Sequence, residues 1–137
     1  MDSGEDTARR RFAAARSARL ATTRPDGRPH VVPIVFAVDG DRIVTVVDDK
    51  PKRSTDLQRL RNVEAQPEVS VLVDHYEEDW QRLWWSRAEG TARVVRGGPE
   101  WKAAVRLLQD KYAQYREPRT LGPALVIEVS RWTSWSG

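Results

Sequence analysis

ARLATTRPDGRPHVVPIVFAVDGDRIVTVV, Ala18–Val47, carries the pattern that decides the fold. Ala18–Thr23 reads as a strand, and Pro25-Asp26-Gly27-Arg28 is turn chemistry, since Pro presets φ and Gly supplies the left-handed position. Pro29–Val38 then reads as a second strand. Val32, Ile34, Phe36 and Val38 fall on one face and Val31, Pro33, Val35 and Ala37 on the other, so both faces are expected to be covered. Pro33 has no N–H to give a ladder, which predicts an edge or a bulge at that point. Asp39-Gly40-Asp41 marks a second hairpin turn, and Arg42–Val47 is the third strand. Two hairpins this close together make an antiparallel meander.

The next stretch, Asp48–Val73, is DDKPKRSTDLQRLRNVEAQPEVSVLV. Lys50, Lys52 and Arg53 lie between the end of a strand and the start of a helix. Thr55-Asp56-Leu57-Gln58 has capping-box spacing, with Ser54 as a competing cap. Three cations therefore stand where a helix offers unpaired amides and the positive end of its dipole. That arrangement suits an anion, most naturally a phosphate; a solvated basic loop is the alternative. Leu57, Leu60 and Val63 give the helix one apolar stripe, and it stops before Pro67.

Glu68–Asp74 alternates as a strand, and Ser86–Arg96 continues the sheet with Gly90 as a bulge or close-approach point. Gly98-Pro99 opens a helix whose buried stripe is Trp101, Val105, Leu108 and Tyr112. Pro118–Pro123 connects to a last strand, Ala124–Ser130, and Thr7–Arg16 reads as a short N-terminal helix. The expected fold is mainly β (α+β): about six antiparallel strands closing into a small barrel with a few flanking helices.

Composition narrows the function. The chain has 137 residues, enough for one core and one domain spanning 1–137. It has no cysteine, so disulfides and thiolate-ligated metals are excluded. Its 23 basic residues are interleaved with 20 acidic ones for a net charge of +3, unlike the one-sided excess of a nucleic-acid binder. No apolar run approaches the roughly 20 residues of a membrane span, and MDSGEDTARRR has no signal-peptide core. The expectation is a cytoplasmic protein with no nucleic-acid or membrane partner. There is no nucleophile elbow, dinucleotide fingerprint or P-loop. His75 among Asp74, Glu77, Glu78 and Asp79 matches no closed zinc pattern, so no metal is expected.

In order and spacing, these segments together with WWSRAEGTARVV (Trp84–Val95) resemble the pyridoxamine 5′-phosphate oxidase-like, split β-barrel flavin-binding superfamily. Within it the chain is most similar to the actinobacterial branch of enzymes that use the deazaflavin coenzyme F420, and the likeness spans about Phe12–Val129. It implies a homodimeric antiparallel split barrel with two cofactor sites at the subunit interface. It places Val32, Pro33 and Ile34 near the cofactor ring and Lys50, Lys52 and Arg53 at its phosphate. Arg59, on the following helix, would reach the tail. Trp84 and Trp85, adjacent and so pointing to opposite faces, are candidates for lining the pocket.

Vitamin B6 oxidation is not expected, because Arg131-Trp132-Thr133-Ser134-Trp135 lacks the Arg and His combination of the true oxidases. Asp74–Trp85 reads as a loop specific to this branch. The cofactor expected is F420, with FMN as the alternative. The reaction expected is hydride transfer from the reduced coenzyme to a small organic acceptor, with no catalytic side chain and with His30 and His75 dispensable as acids. A non-catalytic protein that stores or delivers its ligand is the third reading.

Overall fold

The expected turns form, and each uses its glycine in the left-handed region: Gly27 at φ 92° and Gly40 at φ 61°. The computed structural model describes residues 4–48, 54–118 and 120–137, without the side chains of 54–57. Its strands are β1 (Ala18–Thr23), β2 (Pro29–Ile34), β3 (Ala37–Asp39), β4 (Arg42–Asp48), β5 (Glu68–His75), β6 (Trp84–Val95) and β7 (Leu121–Ser136). The helices are α1 (Gly4–Ala14), α2 (Ser54–Ala65) and α3 (Gly98–Lys111).

All seven strands form one antiparallel sheet in the order β2-β1-β5-β6-β7-β4-β3. The segment Pro29–Val38, expected as one strand, is therefore two. Its first half pairs with β1 at one edge of the sheet, and its second half pairs with β4 at the other edge. Strands lie about 4.8 Å apart, so in a flat sheet those edges would stand about 29 Å from each other. The three peptide units from Ile34 to Ala37 span at most about 11 Å. The sheet has to curl until its edges meet, and the result is the antiparallel split barrel.

The link itself is tied down at three of its four backbone polar groups. Thr45 Oγ1 donates to the Val35 carbonyl at 2.8 Å. The Tyr112 hydroxyl accepts from Phe36 N–H at 3.3 Å and shares its proton between the carbonyls of Arg16, at 2.9 Å, and Phe36, at 3.1 Å.

Two cores result. Inside the barrel, Leu20, Ile34, Phe36, Ile43, Val71 and Ile127 pack with Phe12 of α1, which meets Phe36 edge-on at 5.9 Å and Trp132 at 5.4 Å. Outside, α3 lays Val105, Leu108 and Tyr112 over Val44, Val46 and Val126. Strand β4 is consequently buried on both faces, as a two-sided apolar strand requires. Trp101 borders this second core and donates its indole N–H to the Gly122 carbonyl.

Four boundaries differ from expectation. The last strand runs from Leu121 to Ser136, taking in the tail and much of the Pro118–Pro123 connector, because it pairs with both β6 and β4. Strands β5 and β6 extend to His75 and Trp84, which shortens the Asp74–Trp85 loop to a tip holding a 3₁₀ turn at Trp80–Arg82. Helix α1 starts and ends earlier than Thr7–Arg16. Strands number seven rather than six. The caps expected at Ser54 and Thr55 fall on side chains outside the described set. Pro33 does lie on an edge strand, and the ladder does slip at Gly90, where Glu89 faces Arg131 and Gly90 faces Val129.

A β-carbon at Gly90 would stand 2.0 Å from the Glu128 carbonyl oxygen. Gly90→Ala is therefore expected to destabilise by about 1–3 kcal/mol, read as a lower denaturation midpoint in urea.

Burial, and then the charge of Arg16, pushes the Lys111 ammonium down to about 8. It stands 4.0 Å from the Phe36 ring centroid. Between about pH 8 and the ordinary lysine range the unfolded chain holds a proton that the folded chain does not, so stability rises with pH across that window. Below it, the full cost of burying the charge is present. Lys111→Met should raise the melting temperature at pH 7, and the gain should shrink as pH rises from 8 to 10.

Candidate functional site

Strand alternation sorts β2 into two rows. Pro29, Val31 and Pro33 point outward and are exposed, while His30, Val32 and Ile34 point toward the barrel. Of the ring-proximal residues expected from the sequence, Val32 and Ile34 share this inner row. Pro33 is on the opposite face.

Helix α2 lies over β1 beside that row, held by a chain of polar contacts. Gln58 donates to Asn62 Oδ1 at 2.6 Å, and Asn62 donates to Thr22 Oγ1 at 2.9 Å. Thr22 is the ladder partner of His30. At the helix's far end Gln66 donates to the Arg24 carbonyl. Asn62 is fully buried, and a buried amide persists only with its partners made. Arg59, half-buried, lies three residues before Asn62 and so on the same side of the helix. Lys50, Lys52 and Arg53 lie outside the described residues, immediately before the first residue of α2.

His30 is the residue that sequence reasoning set aside. Its Nδ1 is buried with no hydrogen-bond partner. Burial first, then the positive charges of Arg24 and Arg59, hold the ring below the usual histidine range. A half-buried imidazole under the positive charge of two guanidinium groups could accept an anion as a partner. Period-two counting from Val32 would have found it.

Trp84 and Trp85 stand elsewhere, at the outer end of the β5–β6 hairpin. Trp84 packs on the barrel core between the Arg11 guanidinium, 4.4 Å from its ring, and the stacked His75 ring at 6.1 Å. Trp85 lies beneath Arg87 at 5.0 Å. With Leu72, Tyr76 and Trp135 they line a cleft of about 340 Å³ that contains no β2 residue. Val32 and His30 thus share one row of β2, the charge of Arg59 reaches His30, and the two tryptophans line a cleft without any β2 residue. Among the described residues no group of three or more His, Asp or Glu could hold a metal. No helix among them is long and apolar enough to cross a membrane.

The family model for pyridoxamine 5′-phosphate oxidase matches residues 5–136. The chain belongs to that family. No curated protein matches it.

Solved structures share the fold. A conserved hypothetical protein of Mycobacterium tuberculosis, Rv2991, superposes with a TM-score of 0.78 at 21% identity, over 99% of this chain and 86% of that one. A heme binding protein of Mycobacterium smegmatis gives 0.74 at 21%, over 99% of this chain and 59% of that one. An FAD binding protein of the same organism gives 0.61 at 17%, over 94% and 91%. At such identities the likeness is one of fold. The fold is thus shared by proteins named for different bound groups, heme and FAD.

Asn62→Ala should cost about 1–3 kcal/mol, since it leaves Thr22 and Gln58 without their buried partner. Circular dichroism during urea unfolding is the measurement, and a midpoint equal to that of the parent protein would contradict the network's role.

Proposed function

We propose that the protein is an oxidoreductase that binds the reduced deazaflavin coenzyme F420 and passes its hydride to a small organic acceptor. The observation that carries this reading is the juxtaposition, along the inner row of β2, of the apolar Val32 with a charged neighbourhood in which Arg24 and Arg59 act on His30. A planar ring with an anionic tail needs those two surfaces side by side. The buried, unpartnered Nδ1 of His30 fits a ligand that brings an anion.

When bound, the deazaflavin supplies the two-electron chemistry. The chain's own residues bind, orient and exclude water. Val32 would give the ring a dry wall, with Ile34 buried behind it in the barrel core, and Lys50, Lys52, Arg53 and Arg59 would hold the phosphate and tail. No side chain is assigned an obligatory acid or base role, and a proton needed by the acceptor would come from solvent. FMN, gripped by the same loop, is the second reading, favoured by the flavin-binding neighbour.

The same reading includes a homodimer. Among the described residues no helix covers the outer face of β2-β1-β5-β6-β7, and it exposes Val31 (61%), Leu72 (37%) and Trp135 (45%). A second copy would cover these side chains and bring its own Trp85–Trp135 cleft to the interface.

Lys52→Ala is expected to keep the fold and weaken coenzyme binding about 10-fold or more, from the loss of one charge-assisted contact of about 1.5–3 kcal/mol. Fluorescence titration with F420 and with FMN measures this. Tight FMN binding with no F420 binding would transfer the assignment to FMN. Unchanged affinity in both Lys52→Ala and Arg53→Ala would remove the loop from the site. Sedimentation should give a dimer at micromolar concentration.

A further inference from the structure

His30 does more than flank the anion, and what it does follows from its protonation. The ring belongs to the inner row of β2, opposite Thr22, under the side of α2 that carries Arg59 and Asn62. Among the described residues, the groups near it on the packed elements are Thr22 of β1 and Arg24 just beyond its end, and Arg59 and Asn62 of α2. Of these, the charged ones are both guanidinium groups. Burial first, and then these two positive charges, disfavour a second proton on the ring. Its buried Nδ1 has no hydrogen-bond partner among the described residues. A phosphate-class oxyanion changes the electrostatic part of this balance. It offers acceptor oxygens to the imidazole, and it offsets the two guanidinium charges that oppose protonation.

We propose that His30 is a proton-coupled ligand for the oxyanion, so that binding the anion takes up one proton on the imidazole ring. No bond other than N–H is made, and the proton comes from solvent. The proposal rests on the reading of this region as an anion site, and it goes beyond that reading by fixing the pH dependence. Because the bound state holds a proton that the free state lacks, affinity falls as pH rises between the free and bound midpoints of His30. His30 is thus dispensable as an acid in hydride transfer but required for tight binding near pH 6.

The chain has only two histidines, His30 and His75, so proton NMR shows two imidazole Hε1 signals, and His30→Gln assigns them. Sulfate is the probe, because its own charge does not change near neutral pH, with chloride at matched ionic strength as the control. The expected result is an upward move of the His30 midpoint by about one pH unit in sulfate, with His75 unmoved. An unmoved His30 midpoint, or an equal move in chloride, overturns the proposal.

In a second arm, F420 should bind about five- to tenfold more weakly at pH 8 than at pH 6 in the parent protein, and about equally at the two in His30→Gln. Equal pH dependence in both proteins overturns proton coupling while leaving the anion site intact. Failure of F420 and FMN to bind at any pH overturns the cofactor reading, while the sulfate arm still decides the role of His30.

Discussion

Everything in this fold depends on a link of two residues. Val35 and Phe36 carry the chain from one edge of a seven-stranded sheet to the other, and so short a connector turns a sheet into a barrel. The closure is enforced rather than merely permitted. Hydrogen bonds with Thr45 and Tyr112 satisfy three of the link's four backbone polar groups, and Phe36 anchors it in the barrel core. Backbone groups at a buried corner have no water to turn to, so each of these partners stands in for solvation. Tyr112, last in the buried stripe of α3, couples the outer core to the corner of the inner one.

The same link decides where a ligand can sit. Because β2 leaves the sheet at Ile34, its outer edge pairs with no strand of this chain, and Pro33 fits there without losing a ladder bond. The inner row of an edge strand is only partly covered by the barrel wall, which leaves His30 and Val32 half-buried where the equivalent residues of β1 and β5 are buried. Helix α2 covers the neighbouring strand and brings its cations to that seam. An apolar surface and a charged one thus meet at an edge of the sheet, a geometry that a fully closed barrel would not provide.

Much of this was legible in the residues. Turn chemistry at Gly27 and Gly40, alternation along β5, the stripe of α3 and the close approach at Gly90 are local signals, and local signals survive folding. The break at Val35–Phe36 was not legible. A strand that changes edges keeps its period of two, so Pro29–Val38 reads as one element until the partners of each half are known. The length of β7 was hidden for a related reason. Its tail, Arg131–Ser136, is polar and Trp-rich rather than β-branched, and it becomes strand because Trp84–Glu89 is there to pair with it. Of the residues around the inner row of β2, the sequence reading named Val32, Ile34 and Arg59 and passed over His30, since the sequence shows a histidine's position and not the guanidinium groups that fold in near it. The pairing of Trp84 and Trp85 with Val32 could not be read either, because it depends on how many strands stand between them.

A site of this composition places limits on the chemistry it can perform. Acid–base catalysis asks for a group that changes protonation during the reaction while its surroundings stay fixed. Here the titratable group beside the apolar wall is held below the usual histidine range by burial first and then by the positive charges of Arg24 and Arg59. Such a group responds to occupancy rather than to turnover. Hydride transfer makes no demand on it, because the electrons and the nucleus move together from one bound molecule to another. The protein then has to hold both partners against a dry surface and fix their approach. Val32 at the seam can form part of that surface, and the exposed outer face, with Leu72, Trp85 and Trp135, is an apolar area that could complete it. It stands on the other side of the sheet wall, so within one chain the two cannot meet. They meet only if a second copy supplies the outer face, which makes the catalytic reading and the dimeric reading one hypothesis rather than two.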